Sequence, residues 1–181
     1  LTGDNEATFS GNWFLSQGEL WAGDGATSGT LGGSNVYISG GAALVFNRSD
    51  DITCNGVIAG KGEIRSAGAG QVTLAGSAVG FMGTLRIAEG QVTAMASTLA
   101  ATNALVDNNG LFKISGSRAV VNGSRVSGAG TTLLEDGGTL GLGLADMDFG
   151  NTLWVSNGVL ALAVTNAPAN WNLERLTLEA G

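Results

Sequence analysis

The chain has 181 residues, with eight basic and 15 acidic side chains, a formal net charge of −7, no histidine, one cysteine and one proline. That balance disfavours a nucleic-acid binder and a protein held on an anionic membrane surface, since both need clustered Lys and Arg. Apolar residues reach 44% in short, evenly spaced runs, which excludes a disordered chain, and 31 glycines without a three-residue period exclude collagen.

The first elements lie in Phe9-Ser10-Gly11-Asn12-Trp13-Phe14-Leu15-Ser16-Gln17-Gly18-Glu19-Leu20, with Leu1-Thr2-Gly3 ahead of them. Trp13 and Leu15 share one face of a short strand, and Leu20 follows after a glycine turn; a period of two is the strand signature. Parity turns Phe14 and Trp21 outward. Val36-Tyr37-Ile38-Ser39-Gly40-Gly41 echoes the phrase at half length. Asn47-Arg48-Ser49 fits the N-glycosylation pattern, as does Asn122-Gly123-Ser124, and both read as ordinary turns. In the strand Ile52-Thr53-Cys54 the lone Cys54 reads as a small buried residue. It has no internal disulfide partner and no histidine to activate it.

The fullest phrase occupies residues 57–94. Val57-Ile58-Ala59-Gly60-Lys61-Gly62 aligns with Arg125-Val126-Ser127-Gly128-Ala129-Gly130 at an offset of 68, and Phe81, Leu85, Ile87 and Val92 then meet Phe149, Leu153, Val155 and Leu160. The phrase at Phe9 aligns at an offset of 72. These alignments give copies over 1–56, 57–124 and 125–181, with Phe9, Phe81 and Phe149 in equivalent places. They point Trp13, Leu85 and Leu153 inward and Arg86 and Trp154 outward. Ala94 to Ala104 is alanine-rich, but Thr93, Thr98 and Thr102 weaken a helix, and a loop or corner is an equal reading of this stretch. Phe112-Lys113-Ile114-Ser115-Gly116 is another half-length echo, and Leu176-Thr177-Leu178-Glu179-Ala180-Gly181 a partial last copy. Asn-Gly, Ser-Gly, Gly-Gly and Asp-Gly separate the strands, as tight corners that need positive φ require.

Short strands, a long internal repeat and small turns favour a solenoid over a sandwich. The expected fold is all-β: a right-handed parallel β-helix, one segment over 1–181 and a fragment of a longer protein. Coils of roughly 20–25 residues would make roughly eight of them. Like side chains pile up about 4.8 Å apart along the axis.

Three stretches carry a resemblance: Ile58-Ala59-Gly60-Lys61-Gly62-Glu63-Ile64, Gly68-Ala69-Gly70-Gln71-Val72-Thr73-Leu74-Ala75-Gly76, and Phe81-Met82-Gly83-Thr84-Leu85-Arg86-Ile87-Ala88-Glu89-Gly90-Gln91-Val92. Together they resemble the autotransporter-associated β-strand repeat, with degenerate copies at 1–23 and 125–162. Departures include Ala129 opposite Lys61 and Asn151 opposite Gly83. The resemblance implies an exported bacterial passenger-type β-helix that acts as a surface stalk, adhesin or fibre segment, secreted or associated with the outer membrane.

No catalytic constellation emerges. Many β-helices are polysaccharide lyases or hydrolases, which need converging carboxylates. Here Asp50 and Asp51 (with Arg48 nearby), Asp136, and Asp146 with Asp148 fall in different corners and read as solvated turn residues. A carbohydrate-active enzyme or a sugar-binding module is therefore the alternative to a non-catalytic role. Gly23-Asp24-Gly25 and Asp136-Gly137-Gly138 resemble pieces of calcium-binding turns, but the nine-residue period that stacks such ligands is missing. No cofactor or metal is expected. The expected contact surface is Phe14, Trp21 and Trp154. The expected partners are further coils of the same solenoid, stacked end to end or continuous in the chain, or host and cell-surface glycans or proteins. No nucleic acid is expected, and no membrane insertion by this segment.

Overall fold

In a computed structural model, residues 1–3, 9–32, 35–78, 80–95, 104–116, 120–122, 125–142, 148–162 and 172–178 are described. Their regular structure is β-strand throughout, and every strand pairing is parallel. The chain is a parallel β-solenoid.

The strands form four sheets on three sides. A six-strand face holds Gly18–Ala22, Ala42–Phe46, Glu63–Ser66, Thr84–Ile87, Leu105–Asn108 and Arg125–Ser127. A seven-strand face holds Ile52–Cys54, Gln71–Leu74, Gln91–Met95, Leu111–Ser115, Thr131–Glu135, Asp148–Val155 and Asn172–Leu178. The third side carries two separate three-strand sheets. The first is Trp13–Leu15, Val36–Ile38 and Ile58–Gly60, extended by a bridge from Gly60 to Phe81; the second is Val120–Asn122, Thr139–Leu142 and Val159–Leu162. About six turns result, fewer than the eight expected.

Alternation puts one apolar residue in two on the axis, and register stacks them. On the six-strand face Leu20, Leu44, Ile64, Leu85, Val106 and Val126 pair in succession. On the seven-strand face Ile52, Val72, Val92, Phe112, Thr132 and Leu153 do the same, beside Cys54, Leu74, Ala94, Ile114, Leu134 and Val155. Leu44, Leu85, Val106, Phe112, Ile114 and Leu134 are wholly buried. At about 1.5–3 kcal/mol for each buried large aliphatic or aromatic side chain, these columns dominate cohesion.

The coil length lies within the roughly 20–25 residues expected, at the short end on the seven-strand face. Gln71, Gln91, Leu111 and Thr131 are successive partners on the seven-strand face, so that side of the solenoid advances by 20 in sequence at each turn. Gly70, Gly90, Gly110 and Gly130 form the corner before that face, and each accepts a backbone hydrogen bond from the strand above. At Gly90 (φ +65°) an added Cβ would lie 2.4 Å from the Gly68 carbonyl oxygen, so only glycine fits there.

An offset of 68 therefore joins different faces. Leu85 sits on the six-strand face and Leu153 on the seven-strand face, while Trp13 starts the first three-strand sheet. Phe9, Phe81 and Phe149 are not equivalent. Phe9 tilts against Trp13 with ring centroids 4.6 Å apart, Phe81 is fully buried and bridges Gly60, and Phe149 pairs with Leu173. The parallel piling of side chains holds, but with a different period. In the alanine-rich stretch, Ala94 and Met95 end a strand. Residues 96–103 lie outside the described residues.

Candidate functional site

Strand parity leaves the odd-phase side chains outside. Phe14 is 70% exposed, Trp21 38% and Trp154 37%. They do not share a surface: Phe14 stands on the first three-strand sheet, Trp21 on the six-strand face and Trp154 on the seven-strand face. Each has its own setting. The Trp21 indole N–H donates to Glu19 Oε2 at 2.8 Å. Trp154 borders a hollow of about 470 Å³ with Gly110, Leu111, Thr131, Leu133, Thr152 and Thr177.

Phe14 has a partner that the long sequence offsets conceal. Its register partner one coil on is Tyr37, and the rings stack with centroids 5.0 Å apart and planes 9° from parallel. Parity alone places Tyr37 outward, between the buried Val36 and Ile38. The next residue in this column is Ala59, and a Cβ added to Gly80 would stand 3.3 Å from that of Ala59. The column thus runs from two rings to a methyl group to a bare backbone. Beside this step lies a recess of about 330 Å³ lined by Tyr37, Ile38, Ser39, Gly40, Gly60 and Lys61.

The six-strand face carries charge instead. Arg65 reaches back two coils to Glu19 (3.0 Å) and sideways to Glu63 (2.6 Å), and Arg86 lies 3.7 Å from Glu63 and 3.5 Å from Asp107. The Glu63 carboxylate hydrogen-bonded to Arg65 raises the guanidinium pKa further, with Glu19 adding to the effect. This alternating row covers Ala43 and Val45, which are buried although they face outward.

The candidate acids go to separate structural tasks. Arg48, 8% exposed, donates to both Asp50 carboxylate oxygens (2.8 and 2.9 Å) and to the carbonyls of Gly29 and Thr27. Arg48 thereby clips the 23–31 loop to the coil above, and its hydrogen bonds hold the Asp50 carboxyl below its usual pKa. Asp51 accepts the Gln71 backbone N–H and Asp136 the Ser115 hydroxyl. Asp146 lies outside the described residues, and Asp148 is described only as a strand residue. Asp24 accepts the Ala26 N–H in its own turn. Among the described residues no group of three metal-ligating side chains gathers. Cys54 is buried, and desolvation pushes its thiol pKa up, so it packs as a small apolar residue.

Parallel coils with a mixed charged and aromatic exterior are the setting in which one relative becomes informative. Over a stretch of 62 residues the chain is similar to an autotransporter adhesin. The relative is the adhesin BmaC autotransporter of Brucella suis biovar 1 (strain 1330), 44% identical across that stretch. The match covers 34% of this chain and 2% of the relative, so the chain corresponds to a small part of that protein's length. No family model matches the chain, and no solved structure gives a significant match.

Proposed function

We propose that this chain is a non-catalytic stretch of an autotransporter passenger, working at the bacterial surface as a stalk, an adhesive segment or a part of a fibre. The likeness to an autotransporter adhesin carries the reading. The fold agrees with it: a solenoid extends by adding coils, each about 4.8 Å, and so gives reach at a fixed cross-section. The uses found for Asp50, Asp51 and Asp136 favour a structural over a hydrolytic role, since each acid is held by a different local bond.

In this reading the chain meets other coils end to end, or host glycans and proteins along its sides. The test is deletion of its coding segment, in frame and by whole coils, from the native gene. Adherence or surface reach of the cells should fall while the passenger is still exported. Unchanged adherence and reach contradict the proposal. Depolymerisation of a polysaccharide by the purified chain, abolished by Asp50→Asn, Asp51→Asn or Asp136→Asn, establishes the enzyme instead.

A further inference from the structure

We infer that the recess beside Tyr37 is a subsite for an acidic pyranose, a uronate-type sugar, in which Tyr37 supplies the stacking face and Lys61 the counter-charge. The inference rests on the adhesive reading above and gives it a ligand class and a place.

The first observation is the broken aromatic column. Phe14 covers one side of the Tyr37 ring, while the next coil offers only Ala59, with Gly80 beyond it. Had the column continued, a third ring would fill the next step. The opening is one coil high, close to the spacing at which a flat ring packs on an aromatic face. Tyr37 is 39% exposed and Phe14 70%, so the pair forms a platform rather than part of the core.

Charge is the second observation. Of the cations whose side chains are described, Arg48, Arg65, Arg86 and Lys113 each have a carboxylate partner within 4 Å. Lys61 is the exception among the described residues: it is exposed, lines the recess, and has no ion pair. In a chain of net charge −7, an unmatched cation beside a half-covered ring selects an anionic ligand over a neutral one. Ser39, exposed on the same wall, adds a hydroxyl that can donate to or accept from ring hydroxyls. A recess of about 330 Å³ has room for one sugar ring, with the rest of an oligosaccharide lying over Phe14.

The experiment titrates the isotope-labelled chain with trigalacturonate and, separately, with the neutral trisaccharide maltotriose, following backbone amide shifts. Trigalacturonate should shift Tyr37, Ser39 and Lys61 and bind at least fivefold more tightly than maltotriose at low salt. Tyr37→Ala should weaken it at least tenfold. Lys61→Gln should bring the two sugars to equal affinity without changing the rest of the spectrum. Equal affinity in the parent chain, unchanged affinity in Tyr37→Ala, or shifts centred on Trp154 each overturn the subsite. If no sugar binds while cells carrying the full passenger still lose adherence on deletion of this segment, the subsite falls and the adhesive reading stands. If both tests fail, both fall.

Discussion

Arg48 shows how one side chain joins segments far apart in sequence. Its guanidinium spans the carbonyls of residues 27 and 29 and the carboxylate of Asp50. Replacing it with Met leaves the Gly29 carbonyl, the acceptor in the one fully buried bond of the clip, without its donor, and a buried group left unpaired costs about 1–3 kcal/mol; Thr27 and the Asp50 side chain are exposed and add little. Urea unfolding should show Arg48→Met about 1–3 kcal/mol less stable; a loss under about 0.5 kcal/mol means the clip is ornamental. Acid acts on the same contact. The Asp50 carboxyl is held below its unfolded value, so its contribution is complete above that value and vanishes as pH falls through the folded one. Asp50→Asn should flatten the acid limb of the stability–pH curve below about pH 4 and leave neutral pH dependence unchanged. Asn108 is a second such residue. It is wholly buried, donates to the Thr131 carbonyl at 2.8 Å and accepts the Gly110 N–H at 3.1 Å. Asn108→Leu, similar in volume, should cost about 1–3 kcal/mol in the same assay. A neutral or stabilising result would show that the corner holds without that bond.

At the scale of the strand and coil, much of the fold is legible from alternation and glycine corners. The inward phase of Leu85 and Leu153 and the outward phase of Phe14, Arg86 and Trp154 are visible in the sequence and hold in the structure. The coil length is on view too, but a longer alignment masks it. Gly70-Gln71-Val72-Thr73 returns as Gly90-Gln91-Val92-Thr93, one coil later on the same face. The offset of 68 arises because every face meets the same demand. Each needs a glycine corner followed by alternating apolar residues, so phrases from different faces align as well as phrases from one. The contact surface suffers from the same masking. Parity exposes Phe14, but its stacking on Tyr37 depends on the single-coil step from position 14 to position 37, which an offset of 72 conceals. The Arg48 clip is invisible for another reason: its acceptors include backbone carbonyls, which no side-chain pattern announces. Removing residues 71–90 joins Gly70 to Gln91 and takes out one whole coil, bringing Arg65 opposite Asp107. That deletion should leave a cooperatively unfolding β protein. Removing 57–124 should not, because it joins the end of a seven-strand-face strand to a six-strand-face strand and omits the third side. Circular dichroism melts decide it; loss of folding in the first, or full folding in the second, contradicts the coil assignment.

For the whole molecule, the question is which residues are neighbours along the axis. Cross-strand pairs in a parallel sheet bring Cα atoms about 4.8 Å apart, inside the range a disulfide spans. Gln71 and Gln91 are such a pair, both partly exposed on the seven-strand face. Thr84 and Thr152, related by the offset of 68, are both outward but lie on different faces. In a Cys54→Ser background, oxidation of the Gln71→Cys/Gln91→Cys variant should form the intramolecular disulfide nearly completely without unfolding the chain. The Thr84→Cys/Thr152→Cys variant should stay reduced or link only between molecules. The reverse outcome, with the second pair closing and the first open, would contradict a solenoid in which Gln91 lies directly above Gln71.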